Sequence, residues 1–188
     1  VGHGHAQKDY LGWKHRMLAP FSRPIKRVGN GLGFDTLAMP ALADLCRELY
    51  DNTRRRLAPS SVLDGLDARG LAVWYGDDGS FMGSFTRWGK GKAVLYNTAL
   101  KGDSRERVKG TLERLGVGRV RDDGRGFWFS SEQTARLHAL IAPYVHPAVD
   151  YKLHPSQRGR FVWDPGPRVW DDTTLASRRF VRAVPGRI

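Results

Sequence analysis

Leu71-Ala72-Val73-Trp74-Tyr75-Gly76-Asp77-Asp78-Gly79-Ser80 runs from five apolar residues into a glycine and two carboxylates. With Asp67 placed to cap its start, the segment predicts a buried helix ending at Asp77-Asp78. Carboxylates are disfavoured at a helix C-terminus, where unpaired carbonyls leave partial negative charge. A sequence that accepts this cost predicts a cation at that end, and Asp and helix-end carbonyl oxygens suit Mg²⁺. Ala72 and Gly76 lie four residues apart, small enough to let another helix approach closely. On residue types alone, a buried helix ending in a solvated Asp-Asp-Gly turn reads equally well.

Outward from this helix, residues 81–88 (FMGSFTRW) and 92–98 (KAVLYNT) predict strands. Residues 104–115 (SRERVKGTLERL) predict a helix behind an Asp103-x-x-Glu106 capping box. Residues 117–121 (VGRVR) and 126–130 (GFWFS) form a hairpin around Asp122-Asp123-Gly124. Ser131 caps a helix that stops near Pro143 and Pro147. Helix, hairpin and helix also occur earlier. Residues 5–19 form the first helix, PIKRV and GLGFDTL pair around Gly29-Asn30-Gly31, and Pro40 opens a helix over 40–51. The shared order predicts an internal duplication. Residues 65–153 read αββαββα, while residues 1–64 read αββα, as though the first copy lacked its opening helix and hairpin. With Val1 where an initiator methionine would stand, the chain reads as truncated at its front. Residues 154–188, rich in Pro, Gly, Arg and aromatics, read as a basic tail or linker with a short strand at GRFVW (159–163).

LAVWYGDDGS is similar to the WFMDDGS variant of the motif that names the LAGLIDADG homing endonucleases. Residues 142–153 (APYVHPAVDYKL) resemble that family's closing helix and its PY-x-x-P-x-x-x-YKL ending, and HAQKDYLGWKHRML resembles its opening helix. The resemblance spans roughly residues 3–160; both motifs in order are far more specific than the acidic one alone. It implies an α+β LAGLIDADG fold, with two motif helices on a pseudo-two-fold axis and two saddle-shaped sheets along the major groove. The implied activity is Mg²⁺-dependent double-strand cleavage of DNA at a long target. RGRF (158–161) resembles the segment after the endonuclease in some bacterial inteins, implying an intein context.

By the same resemblance, Asp78 falls on the metal-binding acid and Lys152 on the basic active-site residue, with Asp77 a second candidate ligand or a solvated neighbour. Ala72, Gly76 and Gly79 fall on the helix-pairing contact. Arg56 falls near the other half's basic residue, usually lysine, keeping the charge but not a titratable amine. DNA reading is expected of Lys26 and Arg27, of Arg87, Trp88, Lys90, Lys92, Tyr96 and Asn97, and of Arg119, Arg121 and Arg125. Residues 1–66 hold no first acidic motif; Asp35, Asp44 and Asp51 read as loop or helix-surface charges. A second acid would then come from a second copy pairing through the 71–79 helix, or from sequence before Val1; without it the chain is expected to cleave poorly, nick or only bind.

Composition agrees with a polyanionic partner. The 188 residues carry 31 Lys and Arg against 19 Asp and Glu, a formal charge of +12. Hydrophobic residues at 40% exclude a disordered polyelectrolyte, and no apolar run approaches the ~20 residues a membrane span needs. Cys46, the sole cysteine, excludes a disulfide framework and a cysteine zinc site. VGHGHAQKDY does not resemble a signal peptide, so a cytoplasmic location is expected. His138 reads as a satisfied core residue, and Trp13, Trp74, Phe127 and Phe129 as core. The competing reading is a non-catalytic, sequence-specific DNA-binding protein, or a decayed remnant, that keeps the fold after losing one acid.

Overall fold

The computed structural model describes residues 1–52, 56–83 and 91–163. These fall into two compact units, Val1–Arg47 and Glu48–Trp163. Among the described residues no helix is long and apolar enough to cross a membrane.

The first unit contains β1 (Gly2–Gly4), α1 (Lys8–Leu18), β2 (Lys26–Val28) and β3 (Gly31–Gly33), and α2 (Pro40–Leu49) begins in it. The sheet is antiparallel in the order β1-β3-β2. Gly29, at φ +57°, and Asn30 form the two-residue turn that the sequence marks, because Val28 pairs with Gly31. Spacing along α1 puts Tyr10, Leu11 and Trp13 in the core, and the Lys14 ammonium lies 4.7 Å from the centre of the Tyr10 ring. β1 is absent from the sequence expectation, since Gly-His-Gly has no strand propensity. It is held from outside, by its ladder to β3 and by Phe34 N–H donating to the Val1 carbonyl.

The second unit opens with a single turn, α3 (Ser60–Leu63), and then follows αββαββα. Its elements are α4 (Ala68–Asp78), β4 (Gly79–Gly83), β5 (Gly91–Tyr96), α5 (Asp103–Arg114), β6 (Arg121–Asp122), β7 (Gly126–Trp128) and α6 (Ser131–Ile141). Short 3₁₀ turns follow at Ala142–Tyr144, Pro147–Lys152 and Pro155–Gln157. The sheet is antiparallel in the order β4-β5-β7-β6. By element order, β1-α1-β2-β3-α2 repeats β5-α5-β6-β7-α6, down to matching sheet orders. The first unit therefore reads βαββα. It retains the second strand of the opening hairpin, which the sequence reading counts as missing, and has no counterpart of α4 and β4 among its described residues.

Caps set the helix boundaries. Asp67 Oδ1 accepts from Arg69 N and Gly70 N, both at 2.9 Å, and starts α4 as expected. α6 is capped by Ser130 and not Ser131: Ser130 Oγ accepts from Gln133 N, and Gln133 Oε1 accepts from Ser130 N. The Asp103-x-x-Glu106 box does not form, because Gly102 occupies the cap position and both acids sit within the first turn, favoured there by the helix dipole. Residues 159–163 form no strand; Val162 N–H donates to the Pro143 carbonyl at 2.9 Å.

One sheet face, with Phe81, Ala93, Leu95 and Phe127, packs against helices that bury Val108, Leu112, Leu137 and Ile141. Arg105, 7% exposed, binds this layer to the loop beyond β5. Its Nε and one terminal nitrogen fork onto Asp122, its other terminal nitrogen donates to the Asn97 and Leu100 carbonyls, and the guanidinium lies 4.7 Å from the Phe127 ring centre. Replacing one partner of a buried pair leaves the other charge unpaired. Arg105→Leu is expected to lower stability by about 3 kcal/mol in urea denaturation.

Candidate active site

α4 ends at Asp78, and the chain enters β4 at once through Gly79. Gly79 has an ordinary extended backbone, with φ −82° and ψ 154°. A Cβ there would stand 2.3 Å from the Tyr75 carbonyl oxygen and 2.4 Å from its ring. The glycine is thus needed for close approach. Ala72, at 2% exposed, and Gly76 are buried.

A side-chain ammonium stands at this helix end. The turn Pro147–Lys152 starts where His146 Nδ1 accepts from Ala148 N at 3.2 Å. It delivers Lys152 Nζ to the Gly76 carbonyl at 2.7 Å and the Asp77 carbonyl at 3.1 Å. The ammonium therefore takes two helix-end oxygens that the sequence reading offers to Mg²⁺.

Asp78 is half-buried and Asp77 exposed. Burial, and then the Asp77 charge, push the Asp78 carboxyl above its ordinary value, while Arg56, a hydrogen bond from the Trp74 indole, and Lys152 pull it down. Trp74, expected in the core, is instead half-exposed and serves the carboxylate one turn ahead of it. Arg56 is exposed and bridges to Tyr50, the next residue is tied by Leu57 N–H to the Leu49 carbonyl, and Ala58 N–H donates to Ser104 Oγ.

Among the described residues no three His, Cys, Asp or Glu side chains converge as a ready-made metal cage. A raised carboxyl beside a second carboxylate nevertheless fits a Mg²⁺ that draws its other oxygens from water and a substrate phosphate.

Behind Lys152 lies a buried polar chain that residue types alone did not disclose. His154 N–H donates to His138 Nδ1 at 3.0 Å, so the neutral imidazole carries its proton on Nε2. Nε2 lies 3.0 Å from Tyr75 Oη, which lies 3.0 Å from the Lys152 carbonyl oxygen. His138 is satisfied and fully buried between the rings of Tyr75 and Phe81.

The outer sheet face gathers part of the expected reading set. Ladder register puts Met82 beside Lys92, and Trp128 between Val94 and Arg121, with Tyr96 on the same side. Lys92, Tyr96 and Arg121 are exposed there. Arg119 lies in the loop before β6 and Arg125 in the β6–β7 turn, both exposed. Asn97 is a correction: β5 stops at Tyr96, and Asn97, 6% exposed, turns inward so that Oδ1 accepts from Leu100 N. Arg87, Trp88 and Lys90 lie outside the described residues. In the first unit, Lys26 is paired with Asp35 at 2.5 Å and Arg27 is exposed. Trp128 was missed as an outward residue. Its indole donates to Asp123 Oδ2 at 2.7 Å, and the ring meets Tyr96 edge-on at 6.3 Å. The alternation in GFWF (126–129) was its signal.

Burial, with the His154 charge adding to it, pushes His138 down to about 4. The unfolded chain therefore takes up a proton near pH 6.5 that the folded chain refuses until about pH 4. Stability is expected to fall as pH drops through that window, by roughly 3 kcal/mol from this group. Denaturation at about pH 7.5 and about pH 5 should show a smaller loss in His138→Leu.

Residues 1–135 match the LAGLIDADG DNA endonuclease family. The chain is 33% identical over 178 residues to Protein RecA of Mycolicibacterium fallax, covering 88% of this chain and 42% of that one. It is 33% identical over 174 residues to Protein RecA of Mycobacterium leprae (strain TN), covering 85% of this chain and 24% of that one. The chain thus spans less than half the length of these relatives. The intron-encoded endonuclease ai4 of Dictyostelium discoideum is 27% identical over 108 residues, 55% of this chain and 65% of that one. The fold is shared with the homing endonuclease I-WcaI, solved bound to its DNA recognition sequence, at a TM-score of 0.65 and 16% identity over 81% of this chain and 73% of that one. Matched over residues 1–135, well over half of its length, this chain belongs to the LAGLIDADG DNA endonuclease family.

Proposed function

We propose that the chain cleaves double-stranded DNA at a specific site by metal-dependent phosphodiester hydrolysis. The observation that carries this reading is the end of α4, where a half-buried Asp78 with a raised carboxyl sits at the same helix terminus as the Lys152 ammonium. Asp78, with Asp77 beside it, would hold Mg²⁺, which supplies phosphate polarisation and an acidified water when bound. Lys152 would offset charge developing on the phosphate, its Nζ already fixed by the Gly76 and Asp77 carbonyls. Arg56 would lend a second, permanent positive charge to the same carboxyl, as its effect on Asp78 supports.

The DNA would lie across the outer sheet face. Lys92, Tyr96 and Arg121 would meet the groove, Arg119 and Arg125 the backbone or base edges, and Lys26 and Arg27 would serve the first unit. Trp128, locked by Asp123, adds an apolar surface suited to thymine methyl groups. A family endonuclease that matches only part of proteins named RecA supports a segment inserted within a host chain, as in an intein.

Among the described residues α4 alone ends in Asp-Asp-Gly, and this favours a second reading, a DNA-binding protein that does not cleave. In the first reading a second copy of the chain brings the other acid, by a face other than Ala72, Gly76 and Gly79, which are buried within this chain. Selection from randomised duplexes followed by cleavage assays in Mg²⁺ separates the two. Asp78→Asn is expected to abolish cleavage and leave binding intact, and Lys152→Met to slow cleavage by about a hundredfold. Specific binding without Mg²⁺-dependent cleavage would replace the nuclease with the binder.

A further inference from the structure

Lys152 is held at both ends by α4. Its ammonium meets the Gly76 and Asp77 carbonyls, and its own carbonyl oxygen accepts from Tyr75 Oη. Donor logic fixes the direction of the chain behind it. His154 N–H occupies His138 Nδ1, so His138 Nε2–H is spent on Tyr75 Oη, and the Tyr75 hydroxyl proton has one acceptor left, the Lys152 carbonyl. Residues 138 and 75 are both fully buried, between α6, α4 and β4. Apolar side chains would fill that space without the cost of desolvating a phenol and an imidazole. What the polar pair adds is a single allowed placement for the backbone of residue 152, because a carbonyl must sit where Tyr75 Oη points.

We infer that Tyr75 and His138 are positioning residues, which set the Lys152 ammonium against the end of α4 by holding its backbone. The inference rests on the reading of that helix end as the reacting centre, yet its placement claim can be tested without cleavage. His154 belongs to the same device through its main chain, and its ring is pinned separately by Ser156 at 2.7 Å and by the edge of Phe81. It is the N–H of residue 154, not its ring, that meets His138 Nδ1.

The test compares Tyr75→Phe, His138→Leu and His138→Gln with the native chain, free of metal and DNA. The readout is hydrogen exchange of the Lys152 ammonium protons by ¹⁵N NMR, assigned with Lys152→Arg. In the native chain these protons are expected to be protected. Protection should be lost in Tyr75→Phe and His138→Leu and kept in His138→Gln, whose amide still donates to Tyr75 Oη. In single-turnover assays the first two variants should cleave about ten- to a hundredfold more slowly, with DNA affinity within about twofold of native. Native protection in both Tyr75→Phe and His138→Leu overturns the inference, as does their loss of DNA affinity in step with cleavage. If Tyr75→Phe does not fold, the His138 pair decides alone. A native chain that protects Lys152 but cleaves no duplex leaves the positioning intact and removes only the nuclease reading.

Discussion

A helix ending in Asp77-Asp78 concentrates negative charge where the backbone already supplies some, and the second unit is arranged around neutralising it. The answer comes from Lys152, at the far end of the unit, whose ammonium reaches the last carbonyls of α4. Much else can be traced to that contact. The Pro147–Lys152 turn is held from several sides: His146 caps it, Tyr75 bonds its carbonyl, and the guanidinium of Arg158 donates to the Tyr151 and Leu153 carbonyls. Gly79 must then be small, because the strand leaving α4 passes against the same Tyr75 whose hydroxyl holds residue 152.

The sheet solves a different problem, presenting a wet face while burying the other. Strand alternation sends Ala93 and Leu95 inward and Lys92 and Tyr96 outward, and Arg105 closes the inner layer without leaving a bare charge. The two units share a strand order, and the first has no counterpart of α4 and β4 among its described residues.

Periodicity made the elements legible, and a resemblance made the family legible. The second unit's αββαββα order follows from caps, turns and apolar spacing, since Asp67 and Asp123-Gly124 act locally. What escaped was decided at a distance. β1 has no strand propensity and exists because β3 offers a ladder. Asn97 continues the strand pattern in sequence, yet the turn toward α5 needs its carboxamide inside. The α6 cap reads one residue late in the sequence, at Ser131, because only the fold shows Gln133 reaching back to Ser130. The His138–Tyr75–Lys152 chain joins residues more than sixty apart, and no local pattern announces such a partner. Trp74 read as apolar bulk because its one polar atom matters only once Asp78 is a helical turn away.

The separation between the two halves of the charged helix end has a temporal meaning. Gly76 and Lys152 are 76 positions apart, so the contact closes a long loop and cannot form until nearly the whole second unit has left the ribosome. Until then α4 carries its carboxylates with no ammonium to meet them. Completion of the fold and completion of the charged centre are therefore one event, which leaves a partly synthesised or broken chain with the carboxylates but without the ammonium.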